Sequence, residues 1–243
     1  MKLIDTHAHL DFPEFDRTRP EVIARAKASG VGIINCCLTS DGWVKVKDNK
    51  DLFLMTGCCP YRFSDWEPQW KLVNENIDNI IGVGEIGLDY YWVKEDHGRK
   101  REEENFLRFL KLAREHDKPV LIHSRNAEKR ALEILKREKV EKAIMHCFSG
   151  MLEDALRAVD MGYLVSIPTN IVNSKQKQEF AKKLPLESIV LETDAPYLSP
   201  EHGKINEPAN VVLSAKKIAE IRGIDFGQVC SVTTRNAREF FKI

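Results

Sequence analysis

The sequence predicts an α/β protein folded as a TIM (β/α)8 barrel, on three observations. Short apolar runs alternate with longer amphipathic stretches along the whole chain. There are eight such runs, about 30 residues apart, the spacing that strand–helix units need. No stretch has the composition of a linker or a repeat, so the units are expected to form one domain over residues 1–243. An open doubly wound sheet ranks second, because its usual glycine-rich dinucleotide loop is missing from the sequence.

Composition narrows the class of protein. Of 243 residues, 43% are hydrophobic and 30% are charged, so the chain can form a core and is not disordered by composition. Its 37 basic and 37 acidic side chains cancel, which excludes a protein that coats nucleic acid by bulk charge. We expect a soluble, cytoplasmic protein, since the sequence has neither an apolar run of about 20 residues nor a charged-then-apolar leader. The six cysteines are expected to be reduced thiols.

The strand candidates are continuously apolar, as expected for a parallel sheet covered on both faces. In chain order they are Leu3–Ile4, Gly32–Leu38, Leu52–Cys58, Ile80–Ile86, Pro119–His123, Ala143–His146, Tyr163–Ile167 and Ile189–Glu192. Between them, apolar residues recur at helical spacing. Four helices are best marked. The first begins near Pro20, with Val22, Ile23 and Ala26 facing inward. The second has a buried face of Phe106, Phe109, Leu110 and Ala113, and the third has one of Leu152, Ala155, Leu156 and Val159. The fourth begins at a capping box of Asp225 and Gln228.

Two histidines end the first strand candidate, in the run Asp5-Thr6-His7-Ala8-His9. Side chains two residues apart on a strand share a face, so His7 and His9 can reach one metal ion. The alternative is a polar strand end whose imidazoles are satisfied by the backbone. We favour the metal, because histidine is the commonest metal ligand.

Four further acidic or imidazole side chains stand at strand ends. Glu85 interrupts the fourth apolar run, where a carboxylate needs a cation or an ion pair. His123 and His146 end the fifth and sixth runs, and Asp194 follows the eighth. Because the strands of a barrel present their carboxyl ends at one face, the six side chains predict a catalytic pair of divalent cations, with Mg²⁺, Mn²⁺ and Zn²⁺ all open. The remaining histidines, expected to be solvated, are His97, His116 and His202.

Five strand-end strings and one later segment carry a family resemblance. They are Asp5-Thr6-His7-Ala8-His9-Leu10, Gly84-Glu85-Ile86-Gly87-Leu88-Asp89-Tyr90, Ile122-His123-Ser124-Arg125, His146-Cys147-Phe148-Ser149-Gly150, Glu192-Thr193-Asp194-Ala195-Pro196-Tyr197 and Asn206-Glu207-Pro208-Ala209-Asn210. Together, in this order, they resemble the TatD family of metal-dependent hydrolases in the amidohydrolase-like superfamily. The resemblance spans nearly the whole chain. It implies a TIM barrel of the metal-dependent hydrolase type and nuclease activity on DNA.

The resemblance also implies a role for each ligand. One metal is held at the positions matching His7, His9 and Asp194. The second is held at those matching His123 and His146, and the Glu85 position is shared between the two metals. Glu85, as the shared ligand, and Asp194, as a general base that takes a proton from the attacking water, are the expected catalytic residues.

Three positions depart from the family pattern. Tyr61 stands where the family usually has a histidine that helps to hold substrate phosphate, Asn126 replaces an aspartate, and Ile205 replaces a basic residue that often precedes Asn206. None of the three is a metal ligand. A tyrosine hydroxyl can donate a hydrogen bond to phosphate but carries no charge.

Arg125, Lys204 and Tyr61 are the expected contacts to a substrate phosphate. Aromatic residues after the third and fourth strands either stack on nucleobases or cap the barrel core, and capping is expected for at least two of them. These aromatic residues are Trp66, Tyr90, Tyr91 and Trp92.

The predicted partner is therefore DNA, entered from a single-stranded or frayed end, with no organic cofactor and no membrane contact. A hydrolase of a small ester, amide or lactone is the alternative, because the same ligands activate water for carbonyl chemistry. A non-catalytic metal-binding protein is the third hypothesis.

Overall fold

The computed structural model describes residues 2–243, and along them the chain forms eight strands in one sheet. The strands are β1 Leu3–Ala8, β2 Val31–Cys37, β3 Leu52–Thr56, β4 Gly82–Gly87, β5 Val120–His123, β6 Ala143–Met145, β7 Leu164–Pro168 and β8 Ile189–Glu192. They hydrogen-bond in chain order, and each recorded ladder is parallel. This order, with helices between the strands, is that of a TIM barrel and confirms the predicted fold class.

Each strand is followed by an α-helix, and the last strand is followed by two. The helices are α1 Arg19–Ala28, α2 Ser40–Val46, α3 Trp66–Glu75, α4 Asp96–Glu115, α5 Glu128–Arg137, α6 Leu152–Asp160, α7 Lys175–Lys183, α8 Val211–Arg222 and α9 Phe226–Phe241. Within residues 2–243, no helix is both long enough and apolar enough to cross a bilayer.

Contacts within the chain group its residues into two compact units. The first comprises residues 2–35, 45–53 and 166–243, and it contains β1, β8, α1, α7, α8 and α9. The second comprises residues 36–44 and 54–165, and it contains β4 to β6 and α3 to α6. The prediction of one domain over residues 1–243 stays a prediction.

In the first unit, a buried carboxylate joins β1 to the end of β8. Asp5 Oδ1 accepts a hydrogen bond from the backbone N of Thr193 at 2.8 Å, and Oδ2 accepts one from the Thr193 hydroxyl at 2.5 Å. Burial raises the pKa of Asp5 well above its usual range. These bonds allow polar residues inside the barrel wall, so β1 extends to Ala8, well beyond the predicted Leu3–Ile4.

In the second unit, two glycines permit close backbone approach at the carboxyl ends of the strands. Gly87 pairs with His123 across β4 and β5. It has a φ of 143°, and a Cβ there would overlap the His123 carbonyl oxygen. A Cβ on Gly57 would likewise overlap the carbonyl oxygen of Glu85. The backbone of His123 and that of Glu85, both metal-ligand candidates, therefore each lie against a glycine that no larger residue could replace without a clash.

Most helix predictions are confirmed. The predicted inward residues of α1 and α4 are buried, and Asp225 caps α9 by accepting a hydrogen bond from the backbone N of Gln228 at 3.1 Å. The predicted stripe of α6 is wrong at Leu156, which is 37% exposed. Apolar residues occupy two adjacent faces of this helix, and the face with the smaller Ala155 and Ala158 is the buried one.

Candidate metal centre

In the first unit, His7, His9 and Asp194 converge; we call them the first cluster. The Nε2 atoms of the two histidines are 2.9 Å apart. Asp194 Oδ1 lies 3.6 Å from His7 Nε2 and 3.7 Å from His9 Nε2. Both imidazoles are buried, and the ring of Phe12 stacks on that of His9 at 4.6 Å. Two nitrogens and one carboxylate oxygen therefore point to a common centre.

Backbone bonds between the ends of β1 and β8 place these three side chains together. The backbone N of His9 donates to the carbonyl of Ala195 at 2.7 Å, and the backbone N of Asp194 donates to that of His7 at 2.9 Å. Asp194 adopts a φ of 57°, which turns the chain sharply after β8. The buried Asn206, from the last family-like segment, fixes this loop. Its Nδ2 donates to the carbonyls of Thr193 and Tyr197 and to the hydroxyl of Thr169, all within 2.9 Å.

In the second unit, Glu85, His123 and His146 form the second cluster. Glu85 Oε2 lies 3.8 Å from His123 Nδ1 and 3.4 Å from His146 Nε2. The three offer ligand atoms within 4.8 Å of one another. They stand at the carboxyl ends of β4, β5 and β6, as the sequence predicted for catalytic side chains of a barrel.

Both clusters fit a divalent cation by their donor atoms and by their spacing. Imidazole nitrogen with carboxylate oxygen is a donor set that suits Zn²⁺ and Mn²⁺. Ligand atoms about 2.1 Å from a metal lie about 3.0 Å apart in an octahedral arrangement and about 3.4 Å apart in a tetrahedral one. The separations are 2.9 to 3.7 Å in the first cluster and 3.4 to 3.8 Å to the carboxylate in the second. A cation therefore fits each cluster after small movements.

Asp89 supports the second cluster, and the sequence analysis gave it no role. Its Oδ2 lies 2.8 Å from His123 Nε2, which leaves Nδ1 as the nitrogen directed at Glu85. Its Oδ1 accepts hydrogen bonds from the backbone N of Tyr91 and of Trp92, both at 3.0 Å. Burial alone would lower the pKa of His123, but the bond to Asp89 and the charge of Glu85 raise it above its usual value. The signal available in the sequence was the position of Asp89 inside the family-like string after β4.

Glu102 is a second carboxylate that the sequence analysis missed. It lies buried on α4, and its Oε1 accepts a hydrogen bond from the backbone N of Asp89 at 3.2 Å. Burial raises the pKa of Glu102 to about 7. Its sequence signal was a charged residue four positions before Phe106, on the buried stripe of the helix.

The predicted phosphate contacts lie on loops outside the clusters. Arg125 is exposed, and its guanidinium lies 3.7 Å above the ring of Tyr91. Lys204 is exposed and pairs with Glu201 three residues before it. Tyr61 is 38% exposed, and burial of the rest of its ring raises the pKa of its hydroxyl. The roles of these three residues in binding phosphate stay predictions.

The other departures from the family pattern have local roles or none. Asn126 adopts a φ of 57°, a left-handed conformation that asparagine tolerates well. Ile205 is 57% exposed beside the buried Asn206. Neither belongs to a cluster.

Of the four predicted aromatic residues, two pack into the protein and two reach solvent. Trp66 is buried and its Nε1 donates to a backbone carbonyl at 3.2 Å. Tyr90 is half-buried and its hydroxyl donates to Glu103 at 3.1 Å. Tyr91 and Trp92 are 42% and 59% exposed. Trp66 and Tyr90 thus pack against the protein, and the choice between capping the core and stacking on nucleobases stays a prediction.

The six cysteines form no disulfide among the described residues, and Cys147 is half-buried whereas the other five are buried. The three remaining histidines are exposed. The structure thus separates four histidines in the clusters from three at the surface.

Residues 4–242, which include both clusters, match the protein family described as TatD related DNase. The chain belongs to the TatD-related DNase family. Membership confirms the resemblance predicted from the strand-end strings. It also confirms the prediction of a metal-dependent hydrolase that acts on ester bonds.

Proteins from Homo sapiens, Methanocaldococcus jannaschii and Escherichia coli match this chain over most of its length. Human deoxyribonuclease TATDN3 is 34% identical, and the alignment covers 98% of this chain and 94% of the human protein. An uncharacterized metal-dependent hydrolase of Methanocaldococcus jannaschii, MJ1582, is 35% identical over 100% of this chain and 98% of its own. The crystal structure of YjjV, a TatD homolog from Escherichia coli K12, matches with a TM-score of 0.91 at 28% identity and covers 100% of this chain and 98% of that one.

Proposed function

We propose that this TatD-related protein is a deoxyribonuclease that hydrolyses phosphodiester bonds from a single-stranded or frayed DNA end. The observation that carries the proposal is the pair of clusters, each with imidazole and carboxylate donors at the spacing of metal ligands. The name of the human relative, a deoxyribonuclease, supports DNA as the substrate. A cytoplasmic location stays a prediction.

Each cluster holds one divalent cation in this proposal. His7, His9 and Asp194 would hold the first, and His123 and His146 would hold the second. The strands of a TIM barrel open their carboxyl ends on one face. In the proposal Glu85 would contribute to both cations, as the family resemblance implies. When bound, such a pair supplies an activated water and neutralises charge on the attacked phosphate.

The protein's own side chains direct the proton and the substrate. Asp194 faces both imidazoles of its cluster through Oδ1, and its carboxylate orients the attacking water and accepts the proton. Arg125 and Lys204 contribute positive charge for the substrate phosphates, and the Tyr61 hydroxyl donates a hydrogen bond to one of them. Asp89 acts indirectly by fixing the ring of His123.

A cleavage assay tests the proposal. An end-labelled single-stranded oligonucleotide is incubated with the protein and Mg²⁺, Mn²⁺ or Zn²⁺. We expect stepwise shortening that is faster than for a blunt duplex of the same sequence. The variant His123→Ala is expected to lose at least about 100-fold in kcat/KM, because removal of a first ligand costs more than the 10–100-fold typical of outer contacts. The control His116→Ala changes an exposed histidine and is expected to cleave normally.

Absence of shortening with all three metals would contradict the nuclease proposal. In that case, metal-dependent hydrolysis of a small ester such as p-nitrophenyl acetate, lost in His123→Ala, would indicate the alternative hydrolase. Normal cleavage by His123→Ala would contradict the assigned metal site.

A further inference from the structure

Three exposed aromatic rings lie together in the second unit; we call Tyr61, Tyr91 and Trp92 the aromatic patch. Their exposed fractions are 38%, 42% and 59%. The ring centroid of Trp92 lies 5.9 Å from that of Tyr61 and 5.1 Å from that of Tyr91. Exposed clusters of large apolar side chains mark surfaces that bind something. Aromatic rings are the side chains that offer a flat face for stacking.

Cations border the aromatic patch. The guanidinium of Arg125 lies 3.7 Å above the Tyr91 ring, and Lys94 Nζ lies 5.2 Å from the same ring. Such contacts hold the basic side chains against the ring. Flat rings with positive charge at their border match a ligand that has both planar groups and anionic groups.

The aromatic patch is fixed to the second cluster through one carboxylate. Asp89 holds His123 with Oδ2 and the backbone N of Tyr91 and Trp92 with Oδ1. The backbone N of Tyr90 also donates to the carbonyl of Arg125 at 2.9 Å, which ties the loop after β4 to the loop after β5. A ligand on the patch is therefore held in a set position relative to the His123 side of the cluster.

From this arrangement we propose that the aromatic patch binds unpaired nucleobases of the single strand that the proposed function hydrolyses. This inference rests on the proposed function and names the part of the substrate that is recognised. Bases in a duplex are covered by their neighbours, so the patch selects single strands. Because stacking does not depend on which base is presented, we expect the patch to bind a strand with any of the bases more tightly than an abasic strand.

A binding experiment tests the patch without needing cleavage. The probes are an oligothymidylate of eight nucleotides with phosphorothioate linkages and an abasic phosphorothioate of the same length, titrated in Mg²⁺ and followed by fluorescence anisotropy. We expect Trp92→Ala to weaken binding of the thymidylate about tenfold, which corresponds to about 1.4 kcal/mol, because the variant loses the stacking of a base on one ring. Binding of the abasic probe is expected to change less than twofold. Trp92→Phe, which retains a flat ring, is expected to restore most of the affinity.

Tryptophan fluorescence gives a second readout. Among the four tryptophans, Trp43 and Trp66 are buried and Trp70 is half-buried, so contact with a base reports mainly on Trp92. The thymidylate is expected to quench the fluorescence of the wild type and not that of Trp92→Ala. The control Phe226→Ala removes an exposed ring beside the start of β1, and it is expected to bind both probes as the wild type does.

The outcomes separate the two proposals. If the wild type binds both probes equally, or if Trp92→Ala weakens both probes by the same factor, the patch does not bind bases. If base-dependent binding is found but no metal supports cleavage, the nuclease proposal fails while the patch stands. If cleavage occurs and both Trp92→Ala and Tyr91→Ala bind as the wild type does, the patch fails while the nuclease stands.

Discussion

Asp89 connects two features of the second unit that are separate in the sequence. Its carboxylate contacts the imidazole of His123 on one side and the backbone of the loop after β4 on the other. A carboxylate behind a metal-ligating histidine fixes the ring and the nitrogen that is offered to the metal. A substitution of Asp89 therefore tests whether this carboxylate holds His123 in position within the second cluster.

We predict that Asp89→Asn weakens metal binding at the second cluster about tenfold or more, since it removes the charge that orients His123 and keeps the side-chain shape. Isothermal titration with Mn²⁺ measures this loss. Tyr90→Phe is the matched control, because its hydroxyl contacts Glu103 and not a ligand. Equal Mn²⁺ affinities for Asp89→Asn and the wild type would contradict the role assigned to Asp89.

Glu102 gives a prediction about pH. Burial raises its pKa from 4.5 to about 7, so the folded protein binds this proton more tightly than the unfolded chain does. Its contribution to the free energy of unfolding is therefore largest at low pH and is lost as pH rises through about 7. Glu102→Gln removes this loss. We therefore expect the free energy of unfolding of the variant to exceed that of the wild type by about 1–3 kcal/mol at pH 8 and by much less at pH 5.

Urea denaturation at pH 5, 6.5 and 8 measures the difference. Glu104→Gln, an exposed position on the same helix, serves as the control and is expected to show little dependence on pH. A Glu102→Gln protein that is less stable than the wild type at pH 8 would contradict the assigned pKa shift.

At the element scale, β1 and β8 are joined by polar side chains as well as by backbone. Thr193 donates to Asp5 and accepts a hydrogen bond from the backbone N of Ala195 at 3.2 Å. Thr6, on the neighbouring strand, donates to the carbonyl of Leu191 at 3.0 Å. Both hydroxyls are buried, but only that of Thr193 serves a carboxylate.

We predict that Thr193→Val lowers the free energy of unfolding by about 1–3 kcal/mol, because it leaves a buried carboxyl oxygen without its donor. The matched variant Thr6→Val is expected to cost less, since it removes a bond to a neutral carbonyl. Urea denaturation at pH 7 compares the two. A larger loss for Thr6→Val would contradict the importance of the Asp5 contact.

The strands show what sequence patterns can and cannot predict. Continuous apolar runs located all eight strands, because each is buried on both faces. The pattern stopped β1 at Ile4, since Asp5, Thr6 and His7 look like a loop until their partners on the far end of the chain are known. The buried face of α6 was missed for a related reason, because two apolar faces compete and tertiary packing chooses between them.

At the scale of the whole molecule, the prediction of the site rests on the position of the candidate residues at strand ends and not on any single motif. Parallel strands present their carboxyl ends together, so His and acidic residues at those ends were expected to meet. The distances within each cluster place His7, His9 and Asp194 near one another, and likewise Glu85, His123 and His146. That these residues bind metal stays a prediction. Asp89 and Glu102 were not predicted, because their roles come from hydrogen bonds between segments rather than from position on a strand.

The central claim is that each cluster holds one divalent cation, and metal content measures it directly. Equilibrium dialysis against Mn²⁺ or Zn²⁺, followed by elemental analysis, is applied to the wild type, to His7→Ala/His9→Ala and to His123→Ala/His146→Ala. We predict about two equivalents for the wild type and about one for each folded double variant. A wild type that retains no metal, or a double variant that still holds two equivalents, would contradict the claim.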